Sequence, residues 1–306
     1  MPRFSIILPF HAAAQTIAAT IHSLQAQTFE NWELICINDR TPDQSDEIVA
    51  AMALRDPRIR LVVSPAFGPS EARNHGAKIA RSDLIAFCDA DDLWADRKLE
   101  ELDRAFRAPE VAGIFGRIGF FCETPADSRT QSTVPSGALT IPQLLAENPV
   151  CTMSNLTLRR DIFLAAGGLD PDAVHNEDLE LLIRLVGSGY RIEGLKSLQV
   201  WYRTVVTGLS ADLPAMFAGR QRALRTAARF GVHASSESEA VYMRYLARRA
   251  LRVGATPHDA LRYTLAGVRQ DPVAFLLPAR RGLATALASV LAFVLTQKQR
   301  HALFSR

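Results

Sequence analysis

The sequence predicts an α/β protein built on a largely parallel sheet, followed by a helical C-terminal extension. Three observations carry this. Short apolar runs recur through the first 120 residues, helical segments separate them, and the last third turns to Ala- and Arg-rich helices alone. Unbroken Val/Ile/Leu runs are what strands buried on both faces produce. Strand–helix–strand order with short, right-handed connections then places helices over both faces of the sheet.

Taken in order, FSIILPF (4–10) is the first strand and 14–27 a helix with Ile17, Ile21 and Leu24 at helical spacing. WELICIN (32–38), a helix over 45–54, IRLVV (59–63), a helix over 70–80 and LIAFC (84–88) repeat the pattern. VAGIFGRIGFF (111–121) reads as a strand and 124–137 as a polar loop with two prolines. A short strand at 156–158, a helical turn at 161–165 and a turn at GGLD (167–170) follow. Asn176 is expected to N-cap a helix with Glu177, Asp178 and Glu180 in its first turns and Leu181, Leu182 and Leu185 on its apolar face. YRIEGL and LQVWYR read as two strands, and helices are expected over 213–230, 237–253, 257–270 and 280–297.

At 306 residues with 48% hydrophobic and 22% charged residues, the composition is that of an ordinary globular protein. The four cysteines lack CxxC spacing; Cys36 and Cys88 fall in apolar runs and read as buried thiols, which argues against a disulfide framework or a zinc site. The seven residues of FSIILPF are too few for a signal peptide, and no segment reaches the ~20 apolar residues of a spanning helix. A cytoplasmic location is therefore expected. The net charge of +3 divides unevenly: residues 1–213 hold 20 Lys/Arg and 28 Asp/Glu (−8), and 214–306 hold 15 and 4 (+11). The expected boundary lies there, with a catalytic domain over 1–213 and a basic helical region over 214–306.

The strand at 84–88 runs into Asp89, Asp91 and Asp92, three like charges in four positions. In open α/β sheets ligands bind at the carboxyl ends of the strands. There the chain places Pro9 and His11, then Asp39 and Arg40, then this carboxylate group. Two such carboxylates suit a hard divalent cation, Mn²⁺ or Mg²⁺, shared with substrate phosphates; the plainer reading is that Asp91 and Asp92 cap the helix beginning near Arg97.

SIILPFHAAAQTIAATIHSLQAQTFENWELICIND, GPSEARNHGAKIARSDLIAFCDADDLW (68–94) and HNEDLELLIRLVGSGYRI (175–192) together resemble the family 2 glycosyltransferases of GT-A fold. The resemblance runs from residue 4 to about 205 and implies a Rossmann-like mixed sheet flanked by helices, a sugar-nucleotide donor and a divalent metal. It places Asp39 as the reader of the nucleobase, uracil by default, with Pro9 and His11 lining the base pocket and Arg73 closing over base and ribose. Asp89 faces the ribose or phosphates, Asp91 is the metal ligand, and Asp178 is the general base for the acceptor hydroxyl. Glu177 and Arg203 fall on the acceptor side. One base and no enzyme nucleophile imply a single, inverting displacement. Two departures stand out. The family's Asp-Asp-Gly-Ser turn is Asn38-Asp39-Arg40-Thr41 here, and no histidine follows Tyr202-Arg203 in TVVTGLSA, leaving leaving-group stabilisation to the metal and Arg203.

Each residue also has a plain structural reading. Asp39 could cap the turn before Ser45, Arg73 could be a surface helix residue, Glu177 and Asp178 could serve the helix dipole, and His75 and His175 could be loop histidines. Trp94 reads as packing, and Trp201 is left open.

The expected function is a metal-dependent inverting glycosyltransferase acting on a saccharide or lipid-linked acceptor, in bacterial surface polysaccharide or glycolipid synthesis. A catalytically inactive scaffold of the same fold is the alternative. A nucleotidyltransferase is disfavoured because HAAAQT after the first strand holds no glycine, and a dehydrogenase because no GxGxxG stands there. In the basic region Leu283, Leu287, Val290, Leu291 and Val294 lie beside Arg280 and Arg281. Peripheral contact with the inner face of an anionic membrane and a homodimer both remain open for that face. Nucleic acid is disfavoured, since aromatic side chains are not interleaved among the arginines.

Overall fold

The structure, a computed structural model, describes residues 1–173, 175–204, 212–296, 299–300 and 303. In chain order its elements are β1 (Phe4–Phe10), α1 (Ile17–Gln25), β2 (Trp32–Asn38), α2 (Ser45–Ala53), β3 (Ile59–Val63), α3 (Pro69–Ile79), β4 (Leu84–Phe87), β5 (Leu93–Trp94), α4 (Lys98–Ala105), β6 (Val111–Phe121) and β7 (Thr130–Gln131). There follow α5 (Ile141–Ala146), β8 (Thr157–Arg159), α6 (Arg160–Ala165), α7 (Glu177–Gly187), β9 (Arg191–Arg203), α8 (Leu213–Arg229), α9 (Ser236–Arg252), α10 (Pro257–Gln270), α11 (Pro272–Leu276) and α12 (Gly282–Leu291).

The chain divides into two compact units, one of Met1–Leu139 with Pro149–Arg203, the other of Thr140–Asn148 with Thr204–Arg306. The first holds a mixed sheet in the order β3-β2-β1-β4-β8-β6-β9-β5, with β7 on β6. β3, β2, β1 and β4 run parallel, so their carboxyl ends share one edge; β8 is antiparallel to β4 and to β6. Helices cover both faces, as the sequence predicts. Alternate residues Phe4, Ile6, Leu8 and Phe10 pack with Ile17, Ile21 and Leu24 of α1, Val49 of α2 and Leu99 and Leu102 of α4. Ile7 points the other way, onto α3, which approaches so closely that a Cβ on Gly76 would lie 2.5 Å from Ile7 and 2.6 Å from Ile37. Pro69 opens α3, where its fixed φ suits the first helical turn and its missing N–H would have no partner anyway.

Several local expectations are corrected. YRIEGL and LQVWYR form one strand, β9, parallel to β6 through three register shifts; Lys196-Ser197, which looked like a break, continue it. Asn176 precedes α7, but its side chain makes no capping bond and its backbone is left-handed (φ 59°). α1 begins at Ile17 rather than Ala14, and His75 lies within α3 rather than in a loop. The helix expected over 280–297 is confined, among the described residues, to α12, with α11 preceding it. The segment 205–211, where the sequence lacks the family's histidine, lies outside the described residues. None of the four cysteines is in a disulfide, and Cys36 and Cys88 are buried.

The second unit packs α5 and α8–α12 around Leu213, Tyr242, Leu246, Tyr263 and Ala292. Arg220 of α8 is buried there, donating to Leu145 O at 2.6 Å and to Glu239 at 2.8 Å, its guanidinium 3.7 Å from the Tyr242 ring centre.

Candidate active site

The parallel register places the ends of β1, β2 and β4 side by side: Phe10 pairs with Asn38, and the Cys88 N–H donates to Ile7 O at 2.9 Å. Beyond β1, His11 is exposed, with its Nδ1 3.0 Å from Asp39 O and its ring edge-on to Phe67. Pro9 is buried within the strand. Beyond β2, Asp39 is only 4% exposed and both carboxylate oxygens accept from Gly68 N–H, at 3.0 and 3.1 Å. Asp39 therefore does not cap α2. That task falls to Asp43, which accepts from Ser45 N–H and the Ser45 and Thr41 hydroxyls. Gly68 itself has φ 114°, a conformation that only glycine takes readily. The Asn38–Thr41 turn forms without a glycine because Arg40 adopts φ 56°.

Beyond β4, the three acids have different surroundings. Asp89 is fully engaged: Arg73 donates to one oxygen at 2.6 Å, Thr152 to the other at 2.9 Å, and the Asp89 N–H donates to Ser154 Oγ at 2.8 Å. Asp92 is wholly buried. Its Oδ1 accepts from Arg203 N–H at 3.0 Å, its Oδ2 has no partner, and burial together with Asp91 and Asp89 pushes its pKa well up. The Asp91 carboxylate accepts no hydrogen bond from another described residue, and burial, then Asp89, raises its pKa to about 6. Neither Asp91 nor Asp92 caps α4, in whose first turn the Leu99 N–H donates instead to Gln27 Oε1 at 3.1 Å.

Arg73 is buried, so the surface reading fails for it. Its guanidinium spans from Asp89 at 2.6 Å to Glu177, at the head of α7, at 3.3 Å. Burial disfavours the cation, but Asp89 and Glu177 outweigh that cost and raise its pKa. Glu177 goes the other way: burial, then Asp178, lifts it to about 7 against the pull of Arg73. Asp178 follows at the first turn of α7, where one of its oxygens accepts from Leu179 N–H at 2.8 Å. The preceding turn is pinned to α3 by reciprocal bonds of 2.8 Å between Asn74 and Leu169, and a Cβ on Gly168 would strike Asn74 at 2.4 Å. The structure thus brings Arg73, Asp89, Glu177 and Asp178 together, with Asp91 beside Asp89.

Of the two places the sequence offered Arg203, the acceptor side and the leaving-group side by the metal ligand, its contacts are with the second. It binds the Asp91–Asp92 turn, donating Nε to Asp91 O at 3.0 Å and stacking 4.5 Å above Phe121, and makes no contact with Glu177 or Asp178. Sequence reasoning also missed Thr152, Ser154 and Lys98. Lys98 is buried, donates to Ser154 O at 2.7 Å, rests 4.0 Å from the Trp94 ring centre and is pushed down to about 7 by burial. Trp94 is a packing residue, 2% exposed, and Trp201 pairs with Leu93 in the sheet. One backbone signature marks the whole rim. The described non-glycine residues with positive φ are Ala12, Arg40, Cys151 and Asn176, each adjacent to His11, Asp39, Thr152 or Glu177. Such strain gathers where surrounding structure holds a chain for function.

Among the described residues no group of three or more His, Cys, Asp and Glu side chains forms a cation site unaided. The donor chemistry nevertheless suits a hard cation completed by phosphate oxygens. Asp91 is a carboxylate with no competing donor, made unfavourable as an anion by burial and by Asp89, so a divalent cation would relieve it.

Comparison with known proteins gives a consistent picture. The family model for glycosyl transferase family 2 matches residues 5–165. EpsJ of Bacillus subtilis (strain 168), an uncharacterized glycosyltransferase, is 35% identical over 157 residues, 51% of this chain and 42% of its own length. WfgD of Escherichia coli, a UDP-Glc:alpha-D-GlcNAc-diphosphoundecaprenol beta-1,3-glucosyltransferase, is 41% identical over 97 residues, 31% of this chain and 38% of its own. The match thus spans about two-fifths of these relatives. Among solved structures, the mannosyltransferase PcManGT from Pyrobaculum calidifontis, in complex with GDP-Man and Mn²⁺, superposes at TM-score 0.61 with 16% identity over 99% of this chain and 84% of its own. S. aureus TarS 1-349 with UDP-GlcNAc gives 0.58 at 14% identity, over 96% and 92%. At such identity these two likenesses speak for the fold, a GT-A architecture.

Proposed function

This chain belongs to glycosyl transferase family 2, and on that premise we propose that it moves a sugar from a nucleoside-diphosphate donor to a hydroxyl acceptor with inversion. The observation that carries the proposal is the buried Arg73 bridge, which joins Asp89 at the sheet edge to Glu177 at the head of α7. A donor-side and an acceptor-side acid are thereby held in one place, which transfer between two substrates requires.

Asp39, Pro9 and His11 line the base pocket, and the Asp39–Gly68 bonds hold the loop that leads into α3. Arg73 and Asp89 face the ribose and diphosphate. Asp91 would hold a Mn²⁺ or Mg²⁺ ion, which as a Lewis acid offsets the charge gathering on the leaving diphosphate. Arg203 fixes the Asp91–Asp92 turn from behind, through the Asp91 carbonyl and the Asp92 carboxyl. Asp178 takes the proton of the acceptor hydroxyl as that oxygen bonds to the anomeric carbon and the bond to the phosphate oxygen breaks. The diphosphate departs on the opposite face, so a single displacement inverts the centre. Glu177, held near neutral pH by burial, flanks this base and meets the acceptor.

The names of WfgD and TarS carry uridine donors, and WfgD a diphosphoundecaprenol acceptor. By that likeness the donor here is a UDP-sugar, the acceptor a saccharide or lipid-linked saccharide of surface polysaccharide or glycolipid assembly, and the enzyme works peripherally at the inner face of the cytoplasmic membrane. The test is a melting-curve panel of UDP-, GDP-, dTDP- and CMP-sugars with Mn²⁺ or with EDTA, on wild type and Asp91→Asn. A donor at ~100 times its Kd stabilises by about 2.7 kcal/mol. Metal-dependent stabilisation by the uridine donors, lost in Asp91→Asn, is expected, followed by slow donor hydrolysis. Binding without any turnover would instead support an inactive scaffold, and no shift from any nucleotide would defeat the proposal.

A further inference from the structure

Helix α12 is built inside out. Its buried residues are Gly282, Thr285 and Ser289, and the Ser289 hydroxyl lies 2.9 Å from that of Thr264 on α10. Its outward residues are Leu283, Leu287, Val290 and Leu291, continued by Val294, between 47% and 78% exposed. Those positions advance by four, three, one and three residues, the spacing of a single helical stripe. A helix that faces water normally presents the opposite arrangement. Residues 282–297 carry no charge, and most of the large apolar side chains exposed in the described chain fall between 265 and 303.

Cations border the stripe. Arg280 and Arg281 precede α12, and Arg300 donates to the carbonyls of Ala292 and Leu295 beyond its far end, at 3.2 and 3.3 Å. On neighbouring α9, Arg244, Arg248 and Arg252 recur every four residues along one face. Arg281 lies close enough to repel all three but pairs with Glu147 at 3.2 Å, and Arg244 is buried, donating to the carbonyls of Ala274, Phe275 and Leu277. This arrangement sits in a segment with 15 Lys/Arg and 4 Asp/Glu.

We infer that this face docks on an anionic lipid bilayer. α12 lies in the plane of the surface, its Leu/Val stripe at the headgroup–acyl boundary, with the exposed Arg280 at one end and Arg300 at the other among lipid phosphates. A second copy of the chain is the weaker occupant, because a two-fold contact through this face sets each copy's arginines against the other's. No helix of the described residues is long and apolar enough to cross a membrane, which is consistent with a surface mode. The inference deepens the peripheral placement proposed above but needs no sugar nucleotide, so it stands or falls separately from the donor site.

The test is flotation of the full chain with vesicles of phosphatidylcholine alone or mixed with phosphatidylglycerol. Wild type is expected to partition at least about tenfold more onto the anionic vesicles. Leu287→Asp/Leu291→Asp, two exposed positions, should lose about tenfold or more of that binding with an unchanged melting curve. If that variant does not fold, Arg280→Glu serves instead and should weaken anionic binding about fivefold or more. Equal binding by wild type and both variants, or no binding to anionic vesicles, overturns the inference. A wild-type dimer that Leu287→Asp/Leu291→Asp dissociates, in a protein that ignores vesicles, would assign the face to contact between copies instead.

Discussion

Replacing Arg73 with Met keeps the length of the side chain but removes the cation between Asp89 and Glu177. Arg73 is 6% exposed and its two ion pairs measure 2.6 and 3.3 Å. Removing one partner of a buried pair costs about 3–5 kcal/mol, because the carboxylates left behind keep their burial and lose their compensation. Asp89 and Glu177 side chains retain 25% and 16% exposure and rehydrate in part, which places the cost near the lower end, about 3 kcal/mol. In a unit of this size that lowers the melting midpoint by roughly 6–12 °C. The deficit should also depend on pH. Glu177 titrates near 7 in the fold against an ordinary 4.5, so the folded state binds the extra proton between those values and its stability falls as pH rises through them. Without Arg73 only the backbone hydrogen bond of Glu177 opposes the lift, the slope steepens, and the gap to wild type widens from pH 5 to pH 8. Circular-dichroism melts of both proteins across that range measure it. A loss below ~1 kcal/mol, or a gap that ignores pH, would refute the claim that Arg73 compensates two buried carboxyl groups.

Other expectations follow from the same geometry. Asp178→Asn should lower transfer at least about a hundredfold while leaving the donor-induced melting shift intact, whereas Glu177→Gln should keep most of the turnover; single-turnover assays beside melting curves separate the two. Asp91 titrates near 6, so metal-supported donor binding should weaken about tenfold for each pH unit below that value, and titration calorimetry from pH 7 to 5 would show it. Gly76→Val forces side-chain atoms against Ile7 and Ile37, whose nearest atoms already lie 2.5 and 2.6 Å from an added Cβ; a loss of about 1–3 kcal/mol in urea unfolding is expected.

What could be read from the sequence follows the range of the interactions concerned. β1, β2, β3 and β6 begin and end where their apolar runs do; single polar residues such as Glu33, Arg60 and Arg117 fall inside those runs without ending them. The acids of the sheet edge were visible because the rule for open α/β sheets needs only strand ends. Their division of labour was not. That Asp89 is saturated while Asp91 is left open depends on Thr152, 63 positions away, and on Arg73, 16 positions away. Arg203 reaches Asp92 across 111 positions, so nothing local distinguishes it from a residue beside Asp178. α5 has six residues, too few for a helical period to register, and β9 read as two strands because Lys196 and Ser197 resemble a turn in composition alone.

The short helix α5 bears on how such a protein could be rearranged. The family match runs from residue 5 to residue 165, yet Thr140–Asn148 within those bounds belongs to the second unit, where Leu144 and Leu145 are buried and Leu145 O receives the Arg220 guanidinium. The backbone therefore passes from one unit to the other three times. A cut after Arg203 would not detach a self-sufficient module: it would leave α5 stranded on the longer fragment and an emptied seat in the other. Recombination or gene fusion that exchanges the C-terminal part must carry a matching α5 with it. The helical region is thus stitched into its host, and the two halves are expected to be inherited together.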